Sequence, residues 1–194
     1  MIRRLAFAAA LALTPLTAAA APAEFTLDPD HTTVAFLVDH VGYSKILGQF
    51  TSVSGGFTYD EETQTLSDVR VVVDAASFFS NHEARDRHVL GGDFLNAETH
   101  PEIVFTASGG TVTGEGQGQV NGEMTLLGET RPMVLDVTLN KAEAYPFGHK
   151  QYTLGISIRG SVLRSEWGMT YGVANGLVGD EVEIIAEVEA LRAE

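Results

Sequence analysis

The chain contains no cysteine. That removes thiol nucleophiles, thiolate metal sites, dithiol redox chemistry and disulfides together. A chain of 194 residues buries enough apolar surface to fold without disulfide staples. Basic residues are also scarce: 12 Lys and Arg stand against 26 Asp and Glu, a formal net charge of −14. Such an excess of negative charge opposes nucleic acid and anionic membrane surfaces as partners, and its plain consequence is solubility. Beyond the N-terminus no segment reaches the ~18 apolar residues of a spanning helix, so stable membrane insertion is not expected. The chain also lacks the G-x-S-x-G and H-E-x-x-H patterns of hydrolases and zinc peptidases.

Residues 1–23 read as a leader. Arg3 and Arg4 form a positive start, an apolar run covers 5–16, and Ala18-Ala19-Ala20 and Ala21-Pro22-Ala23 both offer small-x-small cleavage sites. Pro22 disfavours a cut directly before it, so cleavage is expected after Ala20 or Ala23. With no cysteine there, a lipid anchor is not expected. The expected product is an exported, periplasmic protein with a single domain over 24–194. Loss of Arg3 and Arg4 leaves ten basic residues against 26 acidic ones, a net charge of −16.

Almost all of this domain reads as strands. Over 33–39, Val34, Phe36 and Val38 alternate with Ala35 and Leu37. Strands are expected over 47–53 and 55–60, on either side of Ser54-Gly55-Gly56. Asp60-Glu61-Glu62-Thr63 reads as a hairpin turn. Val69, Val71 and Val73 then face away from Arg70 and Val72, and Ile103 and Phe105 from Val104 and Thr106. The glycine-rich stretch 109–118 is read as a hairpin, because no helix follows to make it a phosphate loop. Two further strands, 120–127 and 130–140, meet at Gly128. They are followed by strands over 152–161 and 182–190, the last with Val182, Ile184, Ala186 and Val188 on one face.

One stretch breaks the pattern. Ser80-x-x-Glu83 has the form of a capping box, and Gly91-Gly92 supply a stop, so a short helical insertion is expected near 81–95. Ala84 and His88 are assigned inward and Arg85 and Asp86 outward. About eight antiparallel strands with no βαβ rhythm point to an all-β closed barrel or sandwich. Closure removes exposed edges, and a barrel of that size holds one small ligand.

Little in the sequence carries catalytic chemistry. No two of the six histidines fall in a tight metal-ligand spacing, although a site assembled in three dimensions stays open. Arg85-Asp86 reads either as a functional ion pair or as an anchor for the helix. An enzyme acting on an apolar substrate would need a perturbed polar group in its cavity, and His31, His40 and Asp86 are the candidates. What stands out is the apolar excess on strands, with ten Phe and several strands apolar on both faces. This reads equally as core beneath a helix or as the wall of an apolar cavity.

A set of short motifs resembles the YceI family of exported, polyisoprenoid-binding, lipocalin-like proteins. They are Asp30-His31-Thr-Thr-Val-Ala-Phe36 with His40-Val-Gly42 and Gly48-Gln-Phe50; Ala84-Arg85-Asp86-Arg-His88 with Asp93-Phe94-Leu95; His100-Pro101-Glu-Ile-Val-Phe105; Val120-Asn-Gly122-Glu-Met-Thr125 with Leu127-Gly128; and Arg164-Ser165-Glu166-Trp167-Gly168, where the family usually has Phe at the position of Trp167. The resemblance implies an antiparallel lipocalin-like β-barrel enclosing an apolar tunnel. The implied ligand is a long-chain isoprenoid, such as a polyprenyl or quinone-type tail, or a fatty-acyl lipid. No cofactor beyond that lipid is implied, and members of the family form homodimers. Strand parity and family position together put Phe36, Phe50, Phe57, Val71, Phe79, Phe94, Phe105, Ile156 and Trp167 forward as lipid-contacting residues. Catalysis is not expected. The alternatives are an enzyme on a lipid substrate and a stress-response protein whose cavity is incidental.

Overall fold

The computed structural model describes residues 22–193; residues 1–21, and with them most of the expected leader, lie outside the described part. Among the described residues there are twelve strands and one short α-helix. In order they are β1 (Ala23–Leu27), β2 (Thr33–His40), β3 (Ser44–Phe50), β4 (Val53–Asp60), β5 (Thr65–Asp74), β6 (Phe78–Phe79), α1 (Glu83–Leu90), β7 (Glu102–Ala107), β8 (Gly110–Gly114), β9 (Gln117–Leu126), β10 (Glu129–Ala144), β11 (Tyr152–Leu163) and β12 (Val178–Arg192). A 3-10 turn, Ala75–Ser77, leads into β6, and another, Arg164–Trp167, follows β11.

All pairings are antiparallel, and the sheet closes on itself through β1 and β12 into a barrel of eight walls. Two of those walls are interrupted strands. β12 pairs along one edge first with β2, from Val178–His40 to Glu187–Thr33, and then with β1, from Ala190–Leu27 to Arg192–Phe25. The next wall is β3 followed by β4, which pair with β2 and β1 respectively. The barrel then runs through β5, β7, β9, β10 and β11 back to β12. β8 lies off this path, paired to β9.

Side-chain alternation sets the inside of the barrel. The inward rows are Val34-Phe36-Val38 on β2, Val69-Val71-Val73 on β5, Met133-Leu135-Val137-Leu139 on β10 and Val182-Ile184-Ala186-Val188 on β12. Most of the alternate residues face away from the interior, which accounts for the strongly acidic exterior of a chain with an apolar interior. The β9–β10 turn places Leu127 and Gly128 at φ 53° and 78°, the geometry of a two-residue hairpin loop matched to strand twist.

Three local expectations are corrected. The break in the third and fourth strands falls at Thr51-Ser52 and not at Ser54-Gly55-Gly56, through which β4 runs unbroken. A Cβ on Gly55 would sit 2.1 Å from the Arg70 carbonyl oxygen of the neighbouring strand, so this glycine permits close pairing and does not end the strand. The helix is capped by His82, whose Nδ1 accepts the Arg85 N–H at 3.2 Å. Ser80 is engaged elsewhere, with its N–H donating to Asp86 Oδ1 at 3.0 Å and its hydroxyl bonded to the same oxygen. Finally, the face of α1 turned to the barrel carries Arg85, Asp86, Val89 and Leu90, while Ala84 is exposed.

Candidate functional site: an apolar barrel cavity

The inward rows do not meet across the barrel axis. They enclose a cavity of about 600 Å³, within the size range of small-molecule sites, roughly 300–1,000 Å³. Its middle is walled by aliphatic and aromatic side chains from all eight walls, including Val71, Phe105, Leu135, Ile156, Ile158 and Ile184. At one end the lining passes between α1, the β2–β3 turn and the segment 171–178. There it includes the exposed or half-exposed Val41, Tyr171 and Leu177. At the other end it reaches Tyr59, Leu66 and the β8–β9 hairpin.

The cavity depends on glycines that let rings lie flat on the wall. A Cβ on Gly48 would come within 2.5 Å of the Phe36 ring and 2.6 Å of the Phe78 ring. With that space free, Phe36, Phe50 and Phe78 form a cluster with ring centroids 5.8–6.0 Å apart. Gly122 does the same for Phe105, whose ring would stand 2.5 Å from an added Cβ. Close glycine–aromatic pairs across strands hold the rings against the sheet, leaving the space beyond them open.

Charged groups gather at the α1 end. Arg164 is 2% exposed and its guanidinium is satisfied by backbone alone. Nε donates to the Gly179 carbonyl at 2.7 Å, Nη1 to Met169 at 2.7 Å, and Nη2 to Tyr171 at 2.7 Å and Val178 at 2.9 Å. Burial lowers its pKa and the neighbouring Asp180 opposes that; an arginine stays charged under such a shift. Asp180 in turn accepts the Ser165 N–H at 2.9 Å and hydroxyl at 2.7 Å. This network ties the turn after β11 to the start of β12 and closes the wall above the cavity. Arg85 also lines this end, with Nε donating to Ser80 Oγ at 2.6 Å and Nη2 to the Ser80 carbonyl at 2.5 Å. Arg85 and Asp86 thus both grip Ser80, which makes them the anchor of α1. His88 packs edge-on against Phe94 and Tyr171, at centroid distances of 5.1 and 5.0 Å.

Of the nine candidate contact residues, Phe36, Phe50, Phe57, Val71, Phe94, Phe105 and Ile156 are brought together around this one cavity. The other two are placed elsewhere. Phe79 is 43% exposed, and its neighbour Phe78 faces the interior. The register decides this: Phe78 pairs with the inward Phe50 and Phe79 with Gln49, and cross-strand partners share a face. Trp167 is 2% exposed and donates its indole N–H to the Met124 carbonyl at 3.2 Å. That hydrogen bond holds it in the packed layer outside the cavity lining. The lining residues that sequence reasoning passed over, Arg164 and Tyr171 among them, lie on connections without periodicity. Of the catalytic candidates, His40 lines the cavity, Asp86 is held by Ser80, and His31 lies at the turn between β1 and β2, hydrogen-bonded to Asp28 at 2.7 Å.

A closed antiparallel barrel, lipocalin-like, with an apolar chamber along its axis is the class this geometry defines. The chain belongs to the YceI-like domain family, which it matches over residues 25–190. It is 33% identical to a UPF0312 protein of Serratia proteamaculans over 186 residues, 96% of this chain and 94% of that one. It is 39% identical over 141 residues to a UPF0312 protein of Vibrio parahaemolyticus, covering 73% and 74% of the two chains. Among solved structures the fold is shared with the YCEI protein of Campylobacter jejuni (TM-score 0.73, 23% identity, 80% of this chain and 90% of that one). It is shared also with a Saccharophagus degradans domain described as polyisoprenoid binding and implicated in plant cell wall breakdown (TM-score 0.61, 13% identity, 87% of this chain and 98% of that one).

Proposed function

We propose that this protein binds a long, largely apolar lipid inside its barrel, with an isoprenoid chain such as a polyprenyl or quinone-type tail as the preferred occupant. The observation that carries this reading is the cavity of about 600 Å³ whose walls are apolar side chains from every strand around it. A hydrocarbon tail gains roughly 0.8 kcal/mol for each methylene moved from water into such a site. Affinity then comes from chain length and needs few polar contacts. The polyisoprenoid-binding description of the Saccharophagus degradans neighbour supports the same ligand class. Phe36, Phe50, Phe57, Val71, Phe94, Phe105 and Ile156 are the proposed contacts.

The reading is of binding and carriage, not catalysis. The leader read from residues 1–23 supports a periplasmic setting for this work, where a lipid crossing an aqueous space needs a sheltered carrier. The N-terminal mass of protein purified from its native cells tests that placement: a chain starting at Ala21 or at Glu24 supports it, and one that retains residues 1–20 contradicts it. Co-purification of lipid, compared between wild type and Ile156→Arg, tests the binding reading.

A further inference from the structure

The seam of the barrel carries chemistry that lipid binding does not use. Along one edge of β12, β2 ends at the Thr33–Glu187 pair and β1 begins at the Leu27–Ala190 pair. Between them the turn 28–32 stands opposite Glu189. The Glu189 N–H donates to the His31 carbonyl at 3.3 Å, and its carbonyl accepts the Asp28 N–H at 2.9 Å. Val188 on β12 faces inward, so alternation turns the Glu189 side chain out, onto the side chains of the turn. His31 Nδ1 lies 2.7 Å from Asp28 Oδ2 and 3.8 Å from Glu189 Oε2. One donor atom from each of Asp28, His31 and Glu189 falls within 4.8 Å of the others.

A second, independent observation points to what is missing. Among the described residues, two buried side-chain polar atoms have no hydrogen-bond partner, Glu189 Oε2 and Thr32 Oγ1. The first belongs to this cluster, while Thr32 lines the cavity on the inner side of the wall. The Glu189 side chain as a whole is 30% exposed, but this one carboxylate oxygen is buried without a donor, which costs it part of its solvation. His31 Nδ1 is already committed to Asp28, and no Lys or Arg forms an ion pair with Asp28 or Glu189 among the described residues. Two carboxylates and one imidazole therefore converge on a point where a cation completes the charge balance.

We propose that Asp28, His31 and Glu189 form a binding site for a divalent transition metal of the Zn²⁺ type, with water in the fourth position. Imidazole with carboxylate oxygen is a donor set that suits Zn²⁺ and its neighbours better than the all-oxygen ions. Metal–ligand bonds of about 2.0–2.1 Å in a tetrahedron put donor atoms roughly 3.3 Å apart. The separations of 2.7 and 3.8 Å bracket that value, so small side-chain movements admit the ion in place of the proton shared by His31 and Asp28. The ion ties β1, the turn and β12 together where the barrel closes. Leu27 and Val188, next in sequence to Asp28 and Glu189, line the cavity, so occupancy of the site stiffens the cavity wall.

The test uses the full mature chain, stripped with a chelator and titrated with Co²⁺ under visible spectroscopy and with Zn²⁺ by calorimetry, in mildly alkaline buffer where imidazole is neutral. The expected result is one ion per chain, cobalt bands of tetrahedral type that Zn²⁺ abolishes, and a higher Tm when Zn²⁺ is bound. His31→Gln and Glu189→Gln should each weaken binding by at least about tenfold, while His88→Gln leaves it unchanged. No stoichiometric ion on the wild type, or affinity unaltered in both variants, overturns the proposal. Should either variant fail to fold, the imidazole NMR signals of the wild type decide: a Zn²⁺-induced shift at His31 supports the site, and shifts confined to other histidines refute it.

Discussion

Replacing Ile156 by Arg separates the cavity from the rest of the barrel. Ile156 sits on β11 between Leu139 of β10 and Val188 of β12, and all three line the cavity. An arginine there points into the chamber with no carboxylate beside it. The barrel should still fold, because the cavity reaches solvent and a flexible arginine draws water in around its charge. The lipid loses the space the new side chain occupies, about four methylenes' worth, or ~3 kcal/mol at ~0.8 kcal/mol each. That corresponds to roughly 100-fold weaker binding. The natural control is the adjacent Ser157→Arg. Ser157 faces outward and donates to Glu187 at 2.5 Å, so an arginine there meets a carboxylate on the surface and binding should not change. Fluorescent-lipid displacement with near-UV circular dichroism reads both quantities. Equal affinity in folded Ile156→Arg and wild type refutes the assignment of the cavity as the lipid site, and equal loss in both variants refutes the parity argument.

Trp167→Phe should cost about 1–3 kcal/mol of stability by leaving the buried Met124 carbonyl without its donor, yet leave lipid affinity unchanged; denaturant unfolding and lipid titration check the two halves. Arg164→Leu strips four backbone carbonyls of their donor at about 1–3 kcal/mol each, comparable to the whole stability of a domain, so the variant should not fold; a native-like Tm contradicts the clamp. Hydrogen bonds from Ser157 and Arg159, the larger first, lower the pKa of Glu187. A carboxyl depressed by folding adds stability above its unfolded pKa near 4.3 and loses it as pH falls through its folded value. The stability gap between wild type and Glu187→Gln, followed by thermal unfolding, should therefore be open at neutral pH and close in acid, remaining below ~1 kcal/mol for so exposed a pair. A gap independent of pH refutes it.

The barrel was legible because alternation is a local signal. Val69-Val71-Val73 and Val182-Ile184-Ala186-Val188 show their faces without any knowledge of partners, and the Asp28-Pro29-Asp30 turn shows where β1 stops. Features set by distant partners were not legible. Two adjacent phenylalanines on a two-residue strand carry no parity of their own, so only pairing with β3 distinguishes Phe78 from Phe79. Gly55-Gly56 looks like a break until β5 is laid beside it. Ser80-x-x-Glu83 has the form of a cap, but Asp86 and Arg85 take the Ser80 hydroxyl and leave the cap to His82. The carbonyls that hold Arg164 belong to residues 169, 171, 178 and 179, a partnership no side-chain motif announces. The seam cluster joins a turn at one end of the chain to a strand at the other, and spacing alone does not reveal it.

The central claim, that the barrel is a lipid container, is tested most directly by native mass spectrometry of protein purified without detergent from its native cells, followed by solvent extraction and identification of what is released. The account predicts one prenyl or acyl lipid per barrel, and rebinding to the stripped protein that strengthens with chain length. A bare protein mass, from a folded barrel that also fails to take up added octaprenyl and fatty-acyl compounds, contradicts it.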